Sequence, residues 1–231
     1  MMRPAYIKFN LSYDSQRLQQ ELRSCLELEW PMHFNTRDFE GTWKSISLRS
    51  SSGSATDILA HPGQNLYQDT ALLQNTPYIK EILDSWKCDK ESIRLLALEP
   101  GSLIKPHQDM GCAYKDSSFR IHIPIQTNPG VYFTIAGHQL QLKEGECWYM
   151  DFSNTHSIRN EGKTTRVHLI IDALKNDWTD QLFETHGYPL SEDHAPRKYD
   201  EDTLAKMIAE LTRMDTPAAH ALIENLRNQH S

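Results

Sequence analysis

The spacing of hydrophobic residues changes twice along the chain and divides it into three zones. Residues 1–92 mix helical and strand-like spacing, and residues 93–172 carry short runs separated by turn signals. Residues 173–231 return to the three- and four-residue spacing that is typical of amphipathic helices. The order of these zones predicts a mainly β core with an N-terminal α/β elaboration and C-terminal helices.

The middle zone predicts a β-sandwich or barrel. Seven short runs of strand-like composition follow one another at 93–98, 119–126, 131–136, 138–142, 146–152, 156–160 and 165–171. Turn residues separate them, among them Pro100-Gly101 and Asn128-Pro129-Gly130. Several short strands at close spacing, each bounded by Gly and Pro, favour two packed sheets or a closed barrel.

The N-terminal zone predicts three elements and a long loop. The elements are helices over about 15–29 and 77–86 and a strand over 43–49. Asp14 is placed to cap the first helix, and Thr76 followed by Pro77 is typical of a helix start. Residues 50–70 are rich in Ser, Gly, Gln, Asn and Pro, and a loop of this length is often a lid or a binding loop.

The C-terminal zone predicts a helix over 203–214 and a second helix from about 217. Both are short and amphipathic, so each needs a surface to pack against. That surface is either the β core or a second subunit, and a homodimer through these helices is one expectation. We therefore divide the chain into a domain at 1–172, with its core at 93–172, and a helical extension at 173–231.

Length, charge and cysteine content narrow the classes of function. A chain of 231 residues can form a stable hydrophobic core without a structural metal or a disulfide, so any bound metal is expected to be catalytic. The net charge of −7 argues against a nucleic-acid partner. The sequence shows no signal peptide, no apolar run of about 20 residues and no CxxC motif. These features predict a soluble protein of the reducing cytoplasm with no membrane partner.

Two segments together form a candidate metal site. His107 and Asp109 are two residues apart after a predicted strand, and His156 lies where two further strands meet. Two imidazoles and one carboxylate make a facial triad with open coordination positions, which is typical of non-haem Fe(II) oxygenases. The open positions would admit a bidentate 2-oxo acid and then O2. The His-x-Asp motif alone also fits an ordinary surface histidine and a turn aspartate.

A further pattern predicts an anionic ligand near this metal. Arg166 lies in an otherwise apolar strand, where a buried guanidinium needs a carboxylate partner. The partner is either the C5 carboxylate of 2-oxoglutarate or a carboxylate of the protein. Arg120 and His122 share one face of their strand, as Arg166 and His168 share one face of theirs. These faces line a polar lumen or point to solvent.

In these segments the chain resembles the aspartyl/asparaginyl β-hydroxylase family of 2-oxoglutarate dioxygenases, which includes bacterial proline hydroxylases. The matching segments are 43–50, 99–109, 120–125, 145–149, 151–156 and 166–168. The resemblance implies a double-stranded β-helix, the cupin-like jelly roll, with iron at its open end on His107 and His156. Asp109 stands where the animal enzymes have glycine, so the third ligand is present as in the proline hydroxylases.

The resemblance also implies roles for cationic residues. Arg120, His122 and Arg166 would handle 2-oxoglutarate, with Arg166 pairing its distal carboxylate. The animal enzymes use a serine of the first core strand for the same co-substrate, and here Leu96 stands at that position. Candidate substrate residues are Arg49, Trp43 and His168.

The implied function is hydroxylation of a C–H bond in an amino acid, or in an Asp/Asn-type residue of a peptide, with Fe(II), 2-oxoglutarate and O2. Succinate and CO2 would be released. Desaturation, epimerisation and ring formation begin from the same hydrogen abstraction. The alternatives are a non-catalytic cupin-like module that binds a metal or small anion, and an assembly protein that associates through its C-terminal helices.

Overall fold

The computed structural model describes residues 3–60, 66–190, 201–214, 216, 220 and 223–224. The chain forms two compact units, Met1–Tyr188 and Pro189–Ser231. The first unit holds both β-sheets and extends past residue 172, where the sequence places the start of the helical extension. It does so because Phe183, in the helix that follows the last strand, packs against Phe9 and Phe119 of the β core.

The described strands are β1 (Tyr6–Ser12), β2 (Phe39–Glu40), β3 (Trp43–Ser50), β4 (Gln68–Asp69), β5 (Lys90–Leu98), β6 (Leu103–His107), β7 (Ser118–Gln126), β8 (Val131–Ile135), β9 (His138–Leu140), β10 (Glu146–Met150), β11 (His156–Asn160) and β12 (Arg166–Leu174). The described helices are α1 (Ser15–Leu26), α2 (Ala71–Gln74), α3 (Pro77–Ser85), α4 (Asp177–Thr185) and, in the second unit, α5 (Glu201–Met214). Within the described part of the chain, no helix combines the length and the hydrophobicity that crossing a membrane requires.

Two antiparallel sheets build the core. One has the order β1-β10-β7-β12-β5-β3-β4, and the other has the order β2-β6-β11-β8-β9. A buried apolar cluster joins their inner faces, with Leu96 and Met150 from the first sheet and Phe133 and Ile158 from the second. This arrangement is the predicted mainly β, cupin-like jelly roll.

Helix α1 covers the outer face of the larger sheet. The side chain of Asp14 accepts the N–H groups of Gln16 and Arg17, which confirms the predicted N-cap. Gln19 Nε2 donates to the carbonyl of Ile125 in β7. Because a helix lies over this face, the isoleucines of β7 are buried although they point away from the space between the sheets.

The structure adds four strands that the hydrophobic pattern does not predict as separate elements, namely β1, the two-residue strands β2 and β4, and β6. Strand β1 pairs with β10 at the edge of the larger sheet, where Ile7 and Phe9 are buried and Lys8 and Asn10 are exposed. Strand β6 pairs with β11 and ends at His107. Part of the predicted loop, residues 61–65, and most of the helix predicted from 217 lie outside the described residues.

Candidate metal and co-substrate site

Strand pairing brings the three predicted metal ligands together. His107, the last residue of β6, is the register partner of His156, the first residue of β11, and their ring centroids are 4.2 Å apart. Asp109 follows β6, and its backbone N–H donates to the carbonyl of Phe152 at 2.9 Å. Each of the three residues offers one ligand atom, and these atoms lie within 4.8 Å of one another.

Hydrogen bonds orient both imidazoles for metal binding. The Nδ1 atom of His107 lies 2.7 Å from the carbonyl oxygen of Lys105, and that of His156 lies 3.1 Å from the carbonyl oxygen of Asn154. A carbonyl accepts only from a protonated nitrogen, so each Nε2 keeps its lone pair for a metal. Two neutral imidazoles and a carboxylate are a suitable donor set for Fe(II).

The cluster lies in a cavity of about 260 Å³ between the two sheets. Ile104 and Ile158 of the smaller sheet line one side of it, and Leu96 and Arg166 of the larger sheet line the other. The side chain of Asp109 is 36% exposed, whereas Arg166 is only 1% exposed. The metal ligands therefore lie toward solvent, and Arg166 lies inside the jelly roll.

The buried end of the cavity is polar but lacks a counter-charge among the described residues. Arg166 Nη2 donates to His168 Nδ1 at 2.7 Å, and His122 Nδ1 lies 3.3 Å from the same atom. Because His168 Nδ1 accepts these bonds, its proton is on Nε2. Arg166 Nε, His168 Nε2 and His122 Nε2 are buried and have no hydrogen-bond partner in the described structure.

Ionisation at this end follows from burial. Burial lowers the pKa of Arg166 to about 9, because no carboxylate of the described residues pairs with it. Burial, and then the charge of Arg166, lowers the pKa of His122 and of His168 well below the ordinary value. Both imidazoles are therefore neutral, and the arginine carries an uncompensated charge. Such a site fits an anion.

Arg120 lies at the metal end of the cavity in a network that includes two residues not singled out in the sequence. Arg94 Nη2 donates to Asp172 Oδ2 at 2.8 Å, and Arg120 Nε donates to Asp172 Oδ1 at 2.6 Å. Burial alone would raise the pKa of Asp172, but the two guanidiniums lower it below its ordinary value. Arg94 and Asp172 carry the same signal that singled out Arg120, since each is a charged residue in an apolar strand.

The substrate candidates lie in three different places. Trp43 lines the cavity with its ring stacked on His33 at 3.5 Å, and its buried Nε1 has no hydrogen-bond partner among the described residues. His168 is buried beside Arg166, but it does not line the cavity. Arg49 does not line this cavity; it pairs with Asp69 and faces a separate cavity of about 200 Å³.

His33 also lines the cavity, although its sequence neighbours indicate only a packing role. Burial, helped by the charges of Arg94 and Arg120, lowers the pKa of His33 to about 3. Below pH ~6.5 the unfolded chain therefore binds a proton that the folded chain does not bind. The stability that neutral His33 confers is complete above this pH and is lost as the pH falls toward 3.

We expect His33→Phe, which keeps the aromatic stack, to reduce this acid sensitivity. Between pH 7.5 and pH 5.5, the free energy of unfolding of the wild type should fall by about 1.4 kcal/mol more than that of the variant. Urea denaturation at both pH values measures the difference. The exposed His138 provides the control His138→Phe, which should behave as the wild type does. Equal losses in His33→Phe and the wild type would show that His33 ionises normally in the folded state.

Comparisons with known proteins identify the family. The model of the aspartyl/asparaginyl β-hydroxylase family matches residues 13–176. L-proline cis-4-hydroxylase of Rhizobium meliloti (strain 1021) is 27% identical over 168 residues, which are 70% of this chain and 58% of that protein. L-proline cis-3-hydroxylase 1 of a Streptomyces species is 22% identical over 172 residues, 73% of this chain and 59% of that protein. The chain thus spans less than two thirds of the length of either relative.

Among solved structures, a 2OG-Fe(II) oxygenase family oxidoreductase from Burkholderia pseudomallei matches with a TM-score of 0.53. The match covers 75% of this chain and 86% of that one at 11% identity, so it bears on the fold alone. The fold, the three clustered ligands and a family match over most of the length lead to one assignment. The chain belongs to the aspartyl/asparaginyl β-hydroxylase family.

Proposed function

We propose that the protein is an Fe(II)- and 2-oxoglutarate-dependent dioxygenase that hydroxylates an unactivated C–H bond of a free amino acid. One observation carries the proposal: a single cavity holds three metal-ligating side chains at one end and an uncompensated buried arginine at the other. A 2-oxo dicarboxylate has a 2-oxo acid group for the metal end and a distal carboxylate for the arginine end. A protein that binds only a metal needs no such arginine.

His107, Asp109 and His156 would hold the iron. Three protein ligands leave coordination positions for 2-oxoglutarate and O2, and the bound metal supplies the oxidising chemistry that yields succinate, CO2 and the hydroxylated product. The protein orients the reactants and excludes water. Phe152 and Ile158 line the cavity beside the ligands and provide an apolar wall for this purpose.

Arg166 would pair with the distal carboxylate of 2-oxoglutarate. The His168 Nε2–H group is a second unpartnered donor next to it, and His122 Nε2 is an unpartnered acceptor. A carboxylate that accepts from Arg166 would satisfy a buried charge that otherwise lacks a partner. Arg120 lies too close to Asp109 for this role and would meet ligands at the metal end.

The charges at the metal end favour a substrate with a carboxylate. Arg94 and Arg120 share the one carboxylate of Asp172, and Asp109 would be committed to the metal. One of the two arginine charges then remains uncompensated. The carboxylate of a free amino acid substrate would compensate it. The names of the two proline hydroxylase relatives support an amino acid, with L-proline as the first compound to test.

The test begins with anaerobic addition of Fe(II) and then 2-oxoglutarate. We expect a visible charge-transfer band, followed in air by succinate release that depends on an amino acid. L-Prolinamide lacks the carboxylate and should be poorer than L-proline by about 30-fold or more in kcat/KM, the equivalent of ~2 kcal/mol for one partner of a buried charge pair. Peptides that contain Asp or Asn test the other substrate class. Metal binding with neither the band nor succinate would instead support a cupin-like binding module.

A further inference from the structure

The two oxygens of Asp109 have different neighbours. Oδ1 lies 3.7 Å from His107 Nε2, the nitrogen that keeps its lone pair for a metal. Oδ2 lies 3.2 Å from Arg120 Nη1, which donates a hydrogen bond to it. One oxygen therefore faces the metal ligands, and the other is held by an arginine.

Arg120 is itself fixed by a second carboxylate. Asp172 is the register partner of Arg120 across β12 and β7. Arg120 Nε donates to Asp172 Oδ1 at 2.6 Å, and Arg120 Nη2 donates to Asp172 Oδ2 at 3.2 Å. Two parallel bonds fix the plane of a guanidinium, so the third donor, Nη1, points to Asp109 in a defined direction.

Asp172 also holds the other arginine of the network. Its Oδ2 accepts from Arg94 Nη2 at 2.8 Å, and its residue is only 5% exposed. The metal ligand, Arg120, Asp172 and Arg94 thus form one continuous chain of charge-assisted hydrogen bonds. Asp172 is its central member although it does not line the cavity or approach the metal ligands directly.

We propose that Asp172 is a positioning residue for the metal centre. It holds Arg120 so that Arg120 binds one oxygen of Asp109 and leaves the other oxygen for the metal. This inference rests on the proposed function, because it takes Asp109 as a ligand of iron.

Electrostatics gives the direction of the effect. When Asp172 is neutral, Arg94 and Arg120 bring two positive charges to the cavity wall, and among the described residues Asp109 is the remaining carboxylate bonded to either of them. Arg120 then pairs more strongly with Asp109 and competes with the metal for this carboxylate. Loss of the Asp172 charge should therefore weaken metal binding, although Asp172 is not itself a metal ligand.

The experiment measures Mn(II) affinity, which requires neither turnover nor O2, by the loss of the free-ion electron paramagnetic resonance signal. We expect Asp172→Asn to bind Mn(II) roughly 10- to 100-fold more weakly than the wild type, the range for loss of an outer-shell partner. The control is Glu91→Gln, which neutralises a buried carboxylate of the same sheet that bonds to Ser118. It should bind Mn(II) as the wild type does. Unchanged Mn(II) affinity in folded Asp172→Asn would overturn the inference.

A second comparison separates positioning from folding. If Asp172 acts through Arg120, then adding Asp172→Asn to Arg120→Gln should change Mn(II) affinity by less than about threefold, since coupled residues are not additive. A further tenfold loss in the double variant would contradict the inference. A wild-type protein that binds neither Mn(II) nor Fe(II) would overturn the proposed function and this inference together, whereas tight binding by wild type and variants would overturn only the inference.

Discussion

Replacement of His156 by alanine is expected to abolish both Fe(II) binding and succinate release. His156 is buried, its ring is oriented by the carbonyl of Asn154, and burial lowers its pKa to about 4, so the imidazole is neutral and ready to bind a metal at neutral pH. Without it only His107 and Asp109 remain as protein ligands. Turnover should fall by more than about 100-fold, beyond the effect of an outer-shell partner.

Two measurements check this expectation. Anaerobic titration with Fe(II) and 2-oxoglutarate should give the charge-transfer band in the wild type and no band in His156→Ala. His138→Ala removes an exposed imidazole from β9 of the same sheet and should leave the band and the turnover unchanged. A normal band in His156→Ala would exclude His156 as a ligand and would remove the main support for an iron enzyme.

The three residues of the candidate metal site could be identified from local features of the sequence. A His-x-Asp spacing after a strand and a histidine at another strand start are visible without knowledge of the fold. Whether these side chains lie close together depends on the register of β6 against β11, which pairs His107 with His156. A hydrophobic pattern identifies a strand but not its partner, so the sequence alone could not show that these ends meet.

The same reason explains what sequence reasoning missed. Arg94 lies in an apolar strand as Arg166 does, and Asp172 ends a similar run, but each has an ordinary explanation when considered alone. Only the pairing of β7 with β12 and of β12 with β5 places Asp172 opposite Arg120 and close to Arg94. Strand β1 was missed because it is a half-exposed edge strand, whose pattern is weak until β10 lies beside it.

Arg166→Met is expected to separate co-substrate binding from stability. The change removes a buried charge that has no carboxylate partner among the described residues and puts an apolar side chain in its place. We expect 2-oxoglutarate affinity to fall by about 30-fold or more, since losing one partner of a buried charge pair costs ~2–5 kcal/mol. The ligand-free variant should be at least as stable as the wild type, because an unpaired buried charge is unfavourable.

Thermal unfolding with Mn(II), in the presence and absence of 2-oxoglutarate, measures both effects. A ligand at 100 times its Kd stabilises the folded state by about 2.7 kcal/mol, so 2-oxoglutarate should raise the Tm of the wild type. At the same concentration it should stabilise Arg166→Met by about 0.9 kcal/mol or less, because a 30-fold weaker affinity leaves the ligand at only about three times its Kd. Arg159→Met is the matched control, since Arg159 is an exposed arginine of β11 that pairs with Glu161.

In Arg166→Met, the Tm of the ligand-free protein should stay equal or rise, whereas the affinity for 2-oxoglutarate should fall. This combination distinguishes ligand binding from a structural role. If Arg166 served mainly to hold the jelly roll together, its replacement would lower the Tm of the ligand-free protein, and the affinity for 2-oxoglutarate would fall only as the fold weakened. If the arginine serves binding and stays charged at a cost in stability, its replacement gives a ligand-free variant with an equal or higher Tm and a much smaller Tm increase with 2-oxoglutarate. A variant that keeps the wild-type response would show that the co-substrate carboxylate lies elsewhere, and the buried charge would then need another partner.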